Sequence, residues 1–314
     1  MVEWRNGGKG LTNWSGSCMI FVCLYEVNNT KNPSKKGMET DMSERKQAPE
    51  TPWYLRPFGP LVSLALLCVV WGVYGKARLS GRRTRAQRAW QVVSQGCVYD
   101  LGRDLTRHNC FRYCNRGSLS SAYFAQATAA LSDGYIYLAL THSNSPAGEV
   151  IGLFTGRAYN HISLAFDRAL KTLVSYNGGE GGEAPGLNPE TLKGLAEGKG
   201  ASVRVYRLAG TRHQKQIMLK RLRKINQEGS AYNLLGLLFP MSCQPNIMFC
   251  SQFVYAMLRL AGLHYFRKNP LQVRPTDFVE WDRRGRLAFV AEFTFDGVCL
   301  HCQDSIPQMR PTAG

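Results

Sequence analysis

The sequence predicts a domain of mixed strands and helices that follows a single transmembrane helix. Three observations support this prediction: an uncharged apolar run at 57–75, alternating β-rich stretches such as 161–166, and amphipathic helical patterns at 211–227 and 250–262. A chain of 314 residues is long enough for one good-sized core with appendages.

The predicted transmembrane helix spans 57–75, which contains no charged residue. At 1.5 Å per residue the run reaches about 28 Å, close to the hydrocarbon thickness of a bilayer. Trp53 and Trp71 lie near its ends, as interfacial aromatic residues do. A buried core helix is the alternative interpretation. The preceding residues 1–56 form a polar, irregular tail, which we interpret partly as a gene-model extension because Met38 and Met42 resemble ordinary protein starts.

A basic, partly helical linker at 76–132 follows the predicted anchor and begins with a cationic run from Lys76 to Arg88. By the positive-inside rule this run predicts a single-pass membrane protein whose C-terminal domain faces the cytoplasm. The extracytoplasmic side is the alternative.

The composition indicates an anionic partner. The net charge is +17, and the chain carries no recognisable nucleic-acid motif, so we expect an anionic lipid surface rather than nucleic acid. The ten cysteines are scattered and are typical of separate thiols; a zinc site is the weaker alternative for Cys110, Cys114, Cys299 and Cys302. We expect no metal and no cofactor, and nothing in the sequence indicates the oligomeric state.

The sequence predicts a domain of strands and helices at 133–300, followed by a tail at 301–314. β-rich or alternating runs predict strands, a Gly- and Glu-rich stretch predicts a loop at 178–186, and a short helix is expected at 149–154. Thr211 caps the first long helix and Gly229 ends it, while an apolar stripe marks the second. The predicted strands are Tyr135–Thr141, His161–Phe166, Leu170–Tyr176, Ala201–Leu208 and Ala288–Phe295.

A histidine and a cysteine occupy positions that suit a thiol nucleophile. His161 opens a predicted strand, and Cys250 opens a predicted helix about 90 residues later. The thiolate is the reactive form of cysteine, and a helix N-terminus together with an imidazolium favours that form. Most buried cysteines are inert packing residues, so the placement of the pair, rather than its presence, supports catalysis.

Around these two residues the sequence resembles the permuted NlpC-like members of the papain superfamily, the YiiX/YaeF-like cysteine hydrolases, which are distantly related to lecithin–retinol acyltransferase. The resemblance lies between Gly134 and Phe278, under half of the chain. Its pieces come in the family's order: Ile136–Thr141, Leu153–Gly156, Tyr159–Ser163, Val174–Tyr176, Val205–Leu208, Tyr232–Gly236, Phe249–Val254 and Arg274–Phe278.

The resemblance implies an α+β, circularly permuted papain-like (NlpC-like) fold, in which an antiparallel sheet packs on the nucleophile helix. It makes Cys250 the nucleophile and His161 the general base and acid. The third, orienting group falls nearest Ser175, with Asn177 as the alternative. Tyr159, Ser251 and Asn177 are further candidates for contacts to the substrate or the oxyanion.

The residues and the resemblance together predict a membrane-anchored thiol hydrolase of the amidase or peptidase type. Its substrate is expected to be a peptide or an acyl amide, cleaved through an acyl-enzyme on Cys250. One alternative is a lipid-directed acyltransferase or lipase of the same fold. The other is an inactive, membrane-anchored binding module, which is favoured if a serine at 175 orients the histidine too weakly.

Overall fold

The computed structural model describes residues 58–81, 83–94, 96, 98, 112–143, 159–179, 183–197, 200–234, 236, 242, 244–295 and 300–304. The predicted tail at 1–56 and the predicted short helix at 149–154 lie outside these residues.

An antiparallel sheet of seven strands organises the described part of the chain. Its strands are β1 (Tyr135–His142), β2 (His161–Ala165), β3 (Val174–Asn177), β4 (Gly186–Pro189), β5 (Ser202–Ala209), β8 (Leu287–Phe295) and β9 (Leu300–Asp304). Their order across the sheet is β4-β3-β2-β1-β5-β8-β9. Two further short strands, β6 (Ala231–Tyr232) and β7 (Ile247–Met248), pair in parallel.

The helices lie before, between and after the strands. They are α1 (Phe58–Leu79), α2 (Arg83–Ser94), α3 (Ser121–Ala129), α4 (Leu192–Ala196), α5 (Arg212–Glu228), α6 (Cys250–Leu260) and α7 (Asp277–Glu280). The predicted cap of α5 is present. The Thr211 hydroxyl accepts from the backbone N–H of Gln214, and the Gln214 side chain accepts from the backbone N–H of Thr211. Gly229 ends the helix with φ 101°.

The core lies between the sheet and α6. Ile162, Leu164 and Phe166 are fully buried, and the ring of Tyr176 lies 5.1 Å from that of Phe253 on α6. Each such side chain contributes about 1.5–3 kcal/mol on burial. This packing places the start of α6 beside β2 and β3.

The predicted strand at 170–176 begins four residues too early. Asp167 holds the chain in a turn, because its carboxylate accepts from the backbone of Lys171 and Thr172 at 2.9 Å and from the Thr172 hydroxyl at 2.6 Å. Leu170 adopts φ 58° within this turn. The apolar residues there are buried by the turn rather than by a strand.

The predicted transmembrane span at 57–75 is wrong. Among the residues that the structure describes, no helix is both long and apolar enough to cross a membrane. α1 continues past the uncharged run to Lys76 and Arg78, and its later turns pack on α2: the Trp71 ring lies 6.0 Å from that of Trp90, and Val70 is fully buried.

The predicted fold class and the single-pass membrane location depended on that span, and both are corrected with it. The structure is a mixed α/β chain around a seven-stranded antiparallel sheet. Residues before Asp133 also contact the sheet region, because Asn115 bridges to Ser230 and its side chain donates to Asn188 at 2.8 Å. The domain bounds of 133 and 300 stay predictions.

A buried lysine fastens α5 to the sheet. The ammonium group of Lys215 donates to the carbonyl oxygens of Ala130, Asp133 and Phe166 at 2.9, 2.6 and 2.9 Å, and the residue is fully buried. Burial lowers the pKa of Lys215, while the carboxylates of Asp133 and Asp167 oppose that shift. One side chain therefore satisfies three buried carbonyls from separate segments.

Replacing this lysine is expected to destabilise the fold. Lys215→Met leaves the three carbonyls without their donor, and the free energy of unfolding should fall by about 3 kcal/mol. Lys220→Met, on the exposed side of the same helix, is the matched control and should change it by less than about 0.5 kcal/mol. Urea denaturation of both variants measures the difference; equal effects would mean that the three bonds contribute nothing.

Candidate active site

Cys250 is the first residue of α6. Phe249 has extended backbone angles, φ −102° and ψ 167°, and carries no side-chain cap. The first helical hydrogen bond runs from Phe253 N to Phe249 O at 3.0 Å. The backbone N–H groups of the three residues from Cys250 therefore have no partner within the helix and can bind a negative charge. The thiol itself is buried, with 2% of the residue exposed.

His161 begins β2 opposite Thr141 of β1. Its Nε2 lies 2.9 Å from Glu190 Oε1, and the charge and hydrogen bonding of Cys250 raise the pKa of the same ring. The structure thus brings together the two residues that the sequence singled out, and it adds a carboxylate bound to the imidazole.

Glu190 is the group that sequence reasoning missed. It follows β4 directly, and its backbone N–H donates to Leu173 O at 2.9 Å. Its carboxylate accepts from the Ser163 hydroxyl at 2.5 Å and from Asn177 Nδ2 at 2.9 Å, and only 7% of its side chain is exposed. These bonds fix the carboxylate in the orientation that holds the imidazole.

The histidine and the glutamate form a charged pair. Burial lowers the pKa of His161, but the charges and hydrogen bonds of Glu190 and Cys250 outweigh it and raise the pKa well above 6.5. For Glu190, burial raises the pKa, but His161 and the bonds from Ser163 and Asn177 bring it below 4.5. At neutral pH the pair is therefore imidazolium and carboxylate.

The predicted orienting residue Ser175 does not fill that role. Its hydroxyl is buried and donates to the carbonyl oxygen of Ile162 at 2.7 Å, so it ties β3 to β2 instead. Glu190 holds the imidazole in its place. The alternative, Asn177, acts one step further away: it donates to Glu190 and accepts from Asn188 Nδ2 at 2.7 Å.

The other two predicted contact residues are placed differently. The Ser251 hydroxyl donates to the carbonyl oxygen of Val273 at 2.7 Å, so its side chain is bound to the backbone there. The ring of Tyr159 lies 5.8 Å from the guanidinium of Arg204, and burial is the largest cause that raises its pKa to about 12. These contacts turn Tyr159 towards β5, on which Arg204 lies.

Tyr232 is a further residue of the site that received no role from the sequence. It pairs with Met248 in the β6–β7 ladder, and Met248 lies two residues before Cys250 in the chain. Burial raises the pKa of Tyr232 far above its usual range, and the charges of Cys250 and Glu190 raise it further. The hydroxyl therefore stays protonated in the electric field of the thiol and the carboxylate.

The arrangement suits nucleophilic chemistry at a carbonyl. A thiol, an imidazolium oriented by a carboxylate and the N–H groups of a helix start occupy one place in the fold. No group of His, Cys, Asp and Glu side chains suited to a metal ion occurs within the described ranges.

The pH dependence of stability should identify the pair. The raised pKa of His161 gives a contribution that is full below about pH 6.5 and is lost as the pH rises through the folded-state value. The lowered pKa of Glu190 gives a contribution present above about pH 4.5 and lost as the pH falls through its folded-state value. Both contributions are full between about pH 4.5 and about pH 6.5, so Glu190→Gln should destabilise the fold most in this range.

Two measurements check this expectation. Urea denaturation across the pH range gives the stability difference, and ¹⁵N-histidine NMR gives the pKa of His161, which should drop in Glu190→Gln because burial then acts without the carboxylate. Glu197→Gln, on the exposed end of α4, is the control. An unchanged His161 titration would contradict the pair.

Comparison with known proteins found no match to the chain among protein-family models, curated proteins or solved structures. The resemblance to permuted NlpC-like hydrolases therefore rests on its sequence motifs and stays a prediction.

Proposed function

We propose that the chain is a thiol hydrolase of the amidase or peptidase type, with a peptide or acyl amide as its substrate. The observation that carries the proposal is the His161 imidazole, whose Nε2 is bound to the Glu190 carboxylate at 2.9 Å and on which Cys250 acts electrostatically. All three side chains are largely buried. Such a chain of nucleophile, base and orienting group is defined by geometry rather than by sequence order.

The proposed reaction begins with attack of the Cys250 thiolate on the carbonyl carbon of the amide. A C–S bond forms, and the negative charge moves to the carbonyl oxygen, where backbone N–H groups of the first turn of α6 stabilise it. The oxygen returns its electron pair, the C–N bond breaks, and His161 donates its proton to the departing amine.

The second half of the reaction releases the acid. His161, now neutral, takes a proton from water while the water oxygen attacks the thioester carbonyl. Collapse of this intermediate breaks the C–S bond and restores thiolate and imidazolium. Glu190 holds the imidazole in position in both halves and stabilises the ring each time it becomes charged.

The carboxylate also bears on the alternatives. The argument for an inactive binding module was that a serine orients the histidine too weakly. Since the carboxylate of Glu190 is bound to His161 and Ser175 is not, that argument no longer applies. A lipid-directed acyltransferase would share the acyl-enzyme and differ in the acceptor, and it stays an alternative.

Selective alkylation tests the proposal. At about pH 6, iodoacetamide should modify Cys250 at least about tenfold faster than Cys68, although Cys250 is buried and Cys68 is exposed. Mass spectrometry of the digested full chain reads both rates. His161→Ala should slow Cys250 by about tenfold or more and leave Cys68 unchanged.

If exposure alone set the rates, Cys68 would react faster than Cys250, so the order of the two rates distinguishes an activated thiol from an ordinary one. If Cys250 reacts more slowly than Cys68 and is indifferent to His161, the thiol is an ordinary packing residue and the hydrolase proposal fails. Circular dichroism of His161→Ala confirms that a slower reaction does not come from unfolding.

A further inference from the structure

Three hydrogen-bonded side-chain amides, the amide chain of Asn115, Asn188 and Asn177, lead to the carboxylate of Glu190. Asn115 Nδ2 donates to Asn188 Oδ1 at 2.8 Å, and Asn188 Nδ2 donates to Asn177 Oδ1 at 2.7 Å. Asn177 Nδ2 then donates to Glu190 Oε1 at 2.9 Å, and the same oxygen lies 2.9 Å from His161 Nε2. The mechanism proposed above assigns no task to Asn115 or Asn188.

Backbone groups fix the direction of every bond in the amide chain. Asn115 Nδ2 and Asn188 Nδ2 also donate to the carbonyl oxygen of Ala184, at 2.8 and 3.0 Å, and a carbonyl oxygen can only accept. At the other end, Asn177 Oδ1 also accepts from the backbone N–H of Gly179 at 3.1 Å. Turning over any of the three amides would therefore place two donors or two acceptors face to face. All the side-chain donors thus point towards the carboxylate.

This direction suits an ionised carboxylate at the end of the amide chain. A carboxylate only accepts, and an amide that accepts from one neighbour becomes a stronger donor to the next. Asn115 and Asn188 are buried, with 5% and 1% exposed, and a buried surrounding strengthens such bonds. The amide chain therefore stabilises the charge of Glu190 and holds its orientation towards His161.

Asn115 is also joined to the start of α6, through the backbone. Its N–H donates to Ser230 O at 3.0 Å, and the N–H of Ser230 donates back to Asn115 O at 2.8 Å. Ser230 immediately precedes β6, and β6 pairs with β7, in which Met248 lies two residues before Cys250. The backbone route to the thiol and the side-chain route to the imidazole thus meet at Asn115.

We propose that Asn115 is a positioning residue that fixes the His161 imidazole relative to the Cys250 thiol. It acts through the amide chain on Glu190, and through β6 and β7 on the start of α6. The inference rests on the proposed hydrolase function, and it adds the segment before α3 to the parts of the protein that build the site.

Removal of the first amide tests the side-chain route. Asn115→Leu keeps the size of the side chain and the backbone bonds to Ser230 but removes the donors of the first link. Alkylation of Cys250 by iodoacetamide at about pH 6 should slow by about fivefold, because a reacting group that is slightly misplaced loses rate even when the substitution is remote. The pKa of Glu190, followed by ¹³C NMR of the glutamate carboxyls, should rise because the bonds to its charged form weaken.

Asn226→Leu is the matched control. Asn226 on α5 binds the same N-terminal segment, since its Oδ1 accepts from Leu119 N at 2.9 Å and its Nδ2 donates to Leu119 O at 3.0 Å, but it is not part of the amide chain. Its loss should lower the free energy of unfolding and leave the alkylation rate and the pKa of Glu190 unchanged. Asn177→Ala breaks the last link, so adding Asn115→Leu to it should not raise the pKa of Glu190 further.

A measurement on the unmodified protein keeps the test decisive if Asn115→Leu does not fold. With ¹⁵N-labelled asparagine and histidine, the amides of the chain should shift in step with the titration of His161, most at Asn177 and least at Asn115. The side-chain amide of Asn226 should not shift.

The outcomes are distinguishable. A response at Asn177 alone, or a pKa of Glu190 that is indifferent to Asn115→Leu, overturns the positioning role and leaves the hydrolase proposal standing. Equal effects of Asn115→Leu and Asn226→Leu on the alkylation rate mean general destabilisation, and they also overturn it. A slow Cys250 that ignores His161→Ala overturns the hydrolase proposal and the positioning role with it.

Discussion

The buried pair of His161 and Glu190 is the interaction on which the candidate site depends. Moving two charges out of water costs several kcal/mol for each ion, and only good geometry with additional hydrogen bonds offsets that cost. Here Ser163 and Asn177 supply those bonds to the carboxylate. A chain that needed only a stable core could fill this place at lower cost with apolar side chains, and this cost is consistent with the proposed function of the pair.

The fold meets the geometric demands of this pair through its sheet edge. β2, β3 and β4 are neighbours at one end of the sheet, so His161, Asn177 and Glu190 converge although nearly thirty residues separate the first from the last. α6 packs on β2 and β3 and places the thiol at its own start. Lys215 fastens α5 to the turn after β2 and to the residues before β1, which keeps the same strands in place.

Much of this arrangement could be predicted from the sequence because the signals were local. Alternation predicted β2, and an apolar stripe predicted the helix of Cys250, so both candidate residues were placed on the correct elements. Glu190 could not be found this way. Its position depends on the pairing of β4 with β3, and β4 is a short strand containing Gly186 and Pro189, residues that normally indicate a loop.

The span at 57–75 failed for a related reason. The prediction used only the length of the run and its lack of charge. These do not reveal packing against another helix, such as the contact of Trp71 with Trp90. Ser175 was chosen as the residue nearest to the expected place on the following strand, yet its hydroxyl is bound to the backbone of Ile162. In each case a contact made by folding, invisible in the local pattern, decided the outcome.

The most direct test of the central claim is to watch an acyl group form on the nucleophile. The full chain is mixed with p-nitrophenyl acetate, p-nitrophenol release is followed by stopped flow, and the acetylated residue is located by mass spectrometry. The account predicts a burst of p-nitrophenol with acetyl on Cys250, followed by turnover, and loss of both in His161→Ala. Acetylation that follows cysteine exposure, with Cys68 ahead of Cys250 and no dependence on His161, would contradict it.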